Sequence, residues 1–394
     1  MKFQRPGPEK IAMLGSFPPL RALSSYCLEL ALAIADIGKV EFISFRRIYP
    51  ALLYPGRDLR ADNTFPTINH ANLKVKRRLT WYNPITWFIE GIFTKAALLH
   101  VQWWSLPLLF IYVIICSGFK LRKKPIIFTV HNTQSHEKSF FFGAISRWLF
   151  KLGDHFIVHS ATDMEQMIKY YNIPSEKVTK IPHGPLDFHF QKDLNREVVR
   201  NEIRLDPENS VILLFGAIRP YKGIDTALKA FAKVIRKIPE ARLLIAGKLW
   251  ENWDRYERLI KELRIGNYVK TYLEYIPSKE VCKFFVAADL VILPYHHFDS
   301  QSGVGSTAIS FRKPMIVTDV GGLPELVVNP RYVVPPKDPS ALARTIVYCL
   351  QNPVQLNRMS VDAKAVAEKI AWPLIARKTW SIYRKVIGLN TTFV

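Results

Sequence analysis

Arg219 and Lys222 put two cations on one short loop, in the run Gly216-Ala217-Ile218-Arg219-Pro220-Tyr221-Lys222-Gly223. Cations this close suit a diphosphate, because a departing diphosphate needs positive groups that act most strongly in the transition state. The plain alternative is surface charge beside a turn, which does little. A second run, Ser300-Gln301-Ser302-Gly303-Val304-Gly305-Ser306, consists of small residues between an apolar strand and a helix. Small residues at such a junction expose backbone N–H groups, and the helix dipole adds to them, which makes a seat for a phosphate. Gly-Ser loops of this length also occur as tight turns that hold nothing. The third candidate is His131-Asn132-Thr133-Gln134-Ser135-His136-Glu137, which gathers two imidazoles, an amide and a carboxylate on one turn. A lone histidine there more often serves as a structural hydrogen-bond donor, but the four groups together favour a site. His131, His136 and Glu137 on one loop offer no metal-ligand geometry, so no metal site is expected.

All three loops follow apolar strands. Residues 126–130 lead into His131, 211–215 into Gly216, and 290–293, stopped by Pro294, into the small-residue loop. The carboxyl edge of an open parallel sheet is where ligands bind. Residues 308–311 read as a short helix after that loop, and 315–318 as the next strand. The chain opens with a strand at 10–15, a helix at 23–37 and a strand at 40–45, the start of a doubly wound α/β sheet. It is not a dinucleotide fingerprint, because no Gly-x-Gly-x-x-Gly follows the first strand. Strands at 98–102, 155–159 and 178–181 alternate with helices after 104, at 140–152 and at 161–171. The pattern restarts at 211 and continues with helices at 224–238 and 253–263 and strands at 241–246 and 269–273. Three closing helices span 339–349, 356–370 and 373–386. Residues 46–80 read as irregular and basic, and 187–210 as a polar linker.

A chain of 394 residues with 49% hydrophobic content supports two packed domains. Cys27, Cys116, Cys282 and Cys349 lie far apart inside apolar segments, as expected of buried thiols in a reducing compartment. The polar start predicts no signal peptide, and the longest apolar run, 106–116, is too short to span a bilayer. The net charge of +22 calls for an anionic partner. One cluster of bases (Lys74, Lys76, Arg77, Arg78) and another (Lys120, Arg122, Lys123, Lys124) alternate with Trp81, Trp87, Trp103 and Trp104. Together they read as a peripheral contact with anionic membrane, at about 1 kcal/mol per base, or else as a solvated basic face. Nucleic acid is not expected, since no helix-turn-helix, finger or RNP-type signature focuses the charge.

The runs 216–223, Leu244-Ile245-Ala246-Gly247, 288–294 and Lys313-Pro314 to Glu325 resemble, in order and spacing, the retaining glycosyltransferases of family 4. The first half resembles them more loosely, at Phe17-Pro18-Pro19, His131-Asn132 with His136-Glu137, and Pro182-His183-Gly184. The resemblance implies the GT-B fold. In that fold two Rossmann-like domains, 1–190 and 205–370, face across a cleft, and the last helix, within 373–394, crosses back to the first. It implies a nucleotide-diphosphate sugar donor held mainly by the second domain and no cofactor. Arg219 and Lys222 would hold the diphosphate, with Gly216 at the donor. Gly303, Val304, Gly305 and Ser306 would give amides to phosphate and sugar, while Glu274, Tyr275 and Ile276 line the base. His131 would contact the transferred sugar, and Asn132, His136 and Glu137 the acceptor. The family's Glu-(seven residues)-Glu pair falls on Asp299 and Thr307. Asp299 keeps an acceptor for sugar hydroxyls, whereas Thr307 lacks a carboxylate, and Gln301 and Ser302 stand in, as in relatives with a Gln-Ser-Gly-Val loop. Ala217 replaces the arginine usual after the loop glycine, and the first-loop Gly-Gly is absent near Arg21-Ala22.

The expected reaction is a hexosyl transfer to a glycan or lipid-linked acceptor in polysaccharide or glycolipid synthesis. It is expected in the cytoplasm, with a peripheral place on the inner membrane face left open. With no nucleophilic carboxylate or Asp-x-Asp motif in place, front-face transfer without a metal is expected, with closure about the linker excluding water. The rival reading is a non-catalytic sugar-nucleotide-binding protein on the same fold.

Overall fold

A strand buried on both faces reads as an unbroken apolar run and belongs to a parallel sheet covered by helices on both sides. Such runs supply the centres of two sheets in the computed structural model, which describes residues 10–21, 23–50, 61–65, 67–133, 140–186 and 194–388. The chain divides into two units, Met1–Gly184 with Ile370–Val394, and Pro185–Lys369.

The first unit runs β1 (Lys10–Leu14), α1 (Ser24–Ala35), β2 (Lys39–Arg47), β3 (Leu73–Thr80), α2 (Pro84–Phe93), β4 (Leu99–Trp103), α3 (Leu109–Leu121), β5 (Ile126–Val130), α4 (Phe140–Phe150), β6 (His155–Val158), α5 (Ala161–Lys169) and β7 (Val178–Lys180). The second runs α6 (Arg196–Glu202), β8 (Ser210–Phe215), α7 (Ile224–Val234), β9 (Ala241–Ala246), α8 (Asp254–Glu262), β10 (Val269–Tyr272), α9 (Val281–Ala287), β11 (Leu290–Leu293), α10 (Gly303–Ser310), β12 (Met315–Thr318), β13 (Val333–Val334), α11 (Pro339–Leu350) and α12 (Pro353–Lys369). It is followed by α13 (Trp372–Val386), which belongs to the first unit.

Both sheets are wholly parallel, ordered β3-β2-β1-β4-β5-β6-β7 and β10-β9-β8-β11-β12-β13. Each order reverses beside its first strand, between β1 and β4 and between β8 and β11. At that switch point the following loops diverge and leave a crevice. On one face of the first sheet, Ile375, Ala376, Ile382 and Tyr383 of α13 share a core with Leu28, Ala31 and Ile34 of α1.

Three expectations of secondary structure change, and one helix, α2, falls in a stretch to which the sequence assigns no element. β3 lies in the stretch expected to be irregular. It is an edge strand carrying Lys74, Lys76, Arg77 and Arg78, and those charges hide its period of two. α2 starts where Asn83 accepts from Ile85 N, with Pro84 at the first helical position. α6 occupies the expected linker. Buried Arg200 ties it down by donating to the carbonyls of Ala287 and Asn209 and to Asp289 Oδ2 at 2.7–3.0 Å. α10 begins at Gly303 rather than near 308, because Ser302 caps it by accepting from Gly305 N. Among the tryptophans of the expected membrane patch, Trp87 and Trp103 are core residues, and Trp87 donates to Thr80 O.

Candidate functional site

The second unit's switch point is lined by the loops after β8 and β11. Lys222 is 4% exposed, and its Nζ donates to Phe215 O at 3.2 Å and Tyr295 OH at 3.0 Å. An ammonium has three hydrogens, so one remains for a ligand. Burial pulls its pKa below the usual lysine value and Arg219 pushes the same way, while Tyr221 opposes them. A nearby anion would reverse that shift, so the site is electrostatically incomplete alone.

Glycine makes the arrangement possible. Gly216 has φ +98°, and a Cβ there would lie 2.8 Å from Lys222 Nζ and 2.9 Å from Val304 Cγ2. Its amide donates to Ala246 O, so Gly216 admits the ammonium rather than offering its own N–H. Val304 brings the start of α10 to the same place. Ser302 Oγ accepts from Gly305 N at 3.3 Å and sits 3.2 Å from Tyr295 OH, which links the lysine to the helix cap. The N–H groups of Gly303 and Val304, in the first helical turn, have no intrahelical acceptor and can meet an anion. Ser306 Oγ is buried without a partner, Gln301 Nε2 reaches Glu325 at 3.4 Å, and half-buried Asp299 packs its carbonyl against Gly321. Thr307 directs its hydroxyl to Gly303 O at 2.9 Å, so that oxygen serves the helix.

Arg219 stands on the β9 side, its guanidinium 3.7 Å above the Trp250 ring. The two loops are laced together by Ile218 N to Lys248 O and Trp250 N to Ile218 O. Glu274 is exposed and Tyr275 and Ile276 half-buried after β10, two strands away from β8. Tyr295 and Trp250 had no weight in the sequence reading. Their only signal is that each follows a strand end closely, after Pro294 and Gly247.

In the first unit His131 is 6% exposed and belongs to a buried cluster. His131 Nε2 lies 2.9 Å from Gln102 Oε1 and its Nδ1 3.2 Å from His159 Nε2. His159 Nδ1 lies 2.9 Å from Ile181 O, Gln102 Nε2 3.3 Å from His100 Nε2, and His100 Nδ1 2.6 Å from Tyr383 OH. One proton arrangement satisfies the whole chain with neutral groups. His159 Nδ1–H donates to Ile181 O, and His131 Nδ1–H donates to His159 Nε2. Gln102 then turns its NH2 to His131 Nε2, the amide ends being interchangeable in placement, and His100 Nε2–H donates to Thr129 Oγ1 at 2.7 Å, with the Gln102 amide 3.3 Å away. Tyr383 OH donates to His100 Nδ1. Tyr26 packs edge-on against His131, His159 and His183. Burial holds His131 well below the usual imidazole range, and pulls His100 and His159 down to about 3 and His183 to about 4. Both nitrogens of His131 are therefore engaged within its own unit. Asn132 is half-buried and donates to Trp104 O at 2.9 Å. His136 and Glu137 lie outside the described residues.

Residues 24–185 match the family model described as Glycosyltransferase Family 4, and residues 195–366 the model described as glycosyl transferases group 1. The D-inositol 3-phosphate glycosyltransferase of Segniliparus rotundus is 27% identical over 239 residues, covering 59% of this chain and 53% of that protein. An uncharacterized glycosyltransferase of Methanocaldococcus jannaschii is 28% identical over 227 residues, 56% of this chain and 57% of that one. The chain thus spans about half the length of the curated relatives it matches. Among solved structures, sucrose-phosphate synthase from Thermosynechococcus elongatus aligns with TM-score 0.71 at 19% identity, covering 97% of this chain and 100% of that one. Anabaena HepE, in complex with UDP and glucose, aligns at 0.72 with 16% identity, covering 96% and 100%. Glycosyltransferase family models match one stretch in each unit, and the two doubly wound sheets, matched end to end by these neighbours, give the chain the GT-B fold.

Proposed function

We propose that the chain transfers a hexosyl group from a nucleoside-diphosphate sugar to a glycan or lipid-linked acceptor, with retention, in polysaccharide or glycolipid synthesis. The observation that carries this reading is the Lys222 ammonium, buried against Gly216 beside the open amides of Gly303 and Val304. The complexes of HepE with UDP and with UDP-glucose support a donor of this class. In the reaction the acceptor oxygen bonds to the anomeric carbon as the bond from that carbon to the diphosphate breaks. The acceptor proton passes to the departing diphosphate oxygen. Lys222, Arg219 and the α10 amides balance the growing charge, so no metal is required.

The protein works in the cytoplasm, in peripheral contact with anionic membrane where the acceptor is lipid-linked. A thermal-shift panel of nucleoside diphosphates and their sugars tests the donor site. One base should stabilise the protein, and Lys222→Met should abolish that shift. A panel without any shift, or an equal shift in the variant, would overturn the reading. Turnover that survives a chelator supports metal independence, and turnover lost to it and restored by a divalent cation opposes it. A second reading, donor binding without transfer, draws on Thr307, whose hydroxyl is bound to Gly303 O where the family places a carboxylate. Donor binding with no sugar transferred or hydrolysed would favour it.

A further inference from the structure

Of the tryptophans in the expected patch, Trp87 and Trp103 are interior, Trp104 is half-buried and Trp81 is exposed, and the same region carries an apolar surface made mostly of other residues. Ile85, Phe88, Ile89 and Phe93 fall at three- and four-residue intervals on α2, each 40–67% exposed, while Trp87, Glu90 and Gly91 fill the opposite, buried side. On α3, Phe110 and Leu121 are 72% and 76% exposed and lie three helical turns apart, hence on one side of that helix. The two helices form a stiff platform. A Cβ on Gly118 would lie 2.6 Å from the backbone of Gly91, so only glycines allow this crossing. Arg122 fastens the end of α2 by donating to Thr94 O at 2.7 Å and Gly91 O at 2.9 Å.

Charge selects the occupant. Between residues 71 and 124 Glu90 is the sole acid, against nine Lys and Arg. Its carboxylate is buried beside Lys76 and Thr94, whereas Lys74, Arg78, Lys95 and Lys123 are exposed. A second copy of this chain, seated through a two-fold axis, would bring these bases against themselves. At ten residues α2 is too short to cross a bilayer, so its contact with one would run along the surface. We propose that the outer face of α2, with Phe110 and Leu121 of α3, is the lipid-docking surface: its aromatic and aliphatic side chains enter an anionic bilayer while the flanking bases meet its headgroups. This rests on the membrane contact in the reading above and assigns it to a defined face.

Sedimentation with vesicles tests it, using phosphatidylcholine with or without phosphatidylglycerol at low salt. The protein should bind the anionic vesicles, and Phe88→Ser with Phe93→Ser should weaken partitioning about 100-fold. Its urea midpoint and nucleoside-diphosphate binding should stay unchanged, because both side chains are exposed. Arg78→Glu with Lys95→Glu should weaken binding while leaving the apolar face intact. No vesicle binding by the unmodified protein would overturn the membrane contact altogether. Binding that the serine pair leaves unaltered would overturn this face while keeping the contact. A dimer by light scattering that the serine pair dissociates, with vesicle binding unaltered, would give the face to a second copy instead.

Discussion

Each sheet places a glycine directly after its first strand, Gly15 after β1 and Gly216 after β8, and the two glycines have opposite surroundings. Gly15 is walled in by neutral matter: a Cβ there would meet Gln102 Cγ at 3.1 Å and Cys27 Sγ at 3.2 Å. Gly216 instead admits the Lys222 ammonium and the first turn of α10. The same strand order therefore gives one switch point closed by side chains and another lined by positive groups. What gathers positive groups at one doubly wound crevice and not at the other is the pair of loops after its first and fourth strands; topology supplies only the place.

The sharpest way to break this contrast is to neutralise one side of it. Lys222→Met should lower kcat/KM for the donor by about 100- to 1000-fold, since a charge-assisted contact made in the transition state disappears. Stability should hold or rise, because the variant no longer buries an ammonium without its anion. Gln102→Leu should do the reverse. Donor binding stays intact, while stability drops by about 1–3 kcal/mol as His131 Nε2 loses its partner, His100 Nε2 keeping Thr129 Oγ1 at 2.7 Å. Steady-state kinetics and urea titration on both variants decide the matter, and equal effects on both measurements would erase the distinction.

Acid should also separate the units. The four clustered histidines titrate near 6.5 when unfolded and are held far lower when folded, with His100 and His159 at about 3 and His183 at about 4. Between those values the unfolded chain binds more protons, so stability rises with pH and is lost as pH falls below 6.5. Each neutral histidine should forfeit about 0.7 kcal/mol between pH 7 and 6, roughly 3 kcal/mol for four. In the second unit only His296 is shifted down among the described residues, and it is half-buried. Urea unfolding at the two pH values should move the first unit's transition and leave the second's nearly in place.

Why the fold was legible and the histidine cluster was not follows from range. β5 and β11 announce themselves as runs of five and four consecutive buried residues, all apolar but for Thr129, and the loops after them are fixed by chain order. β3 and α6 carry no such run, because one is a charged edge strand and the other is held by a single arginine. The loop cations were legible because Arg219 and Lys222 are neighbours. Tyr383 lies 283 residues from its partner His100, and Ile181 supplies a backbone carbonyl, so no local spacing could reveal that His131 is already engaged at both nitrogens. Thr307 was readable as a missing carboxylate, but its bond back to Gly303 needed the helix start to be known.

Steric substitution gives a smaller effect. Gly216→Ala meets an unfavourable φ and two contacts below 3 Å, and should cost about 1–3 kcal/mol in stability together with weakened donor binding. Gly303→Ala meets only Leu186 at 3.6 Å, so calorimetry should place it within about 0.5 kcal/mol of the unmodified protein.

The finest test concerns Trp250, which touches the cation rather than any ligand described here. Its ring centroid lies 3.7 Å from the Arg219 Cζ, a contact that limits where the charge can point. A cation over a ring at a partly exposed site is worth about 0.5–1 kcal/mol, so Trp250→Leu should raise the donor KM about two- to fivefold. Trp250→Phe keeps a face for the guanidinium and should recover most of that change, which mere packing volume would not predict, leucine being nearly as bulky. Should Trp250→Leu change kcat as strongly as Lys222→Met, Arg219 would share the transition-state charge equally with the lysine. The positive side of the contrast would then belong to both loop cations rather than chiefly to the buried one.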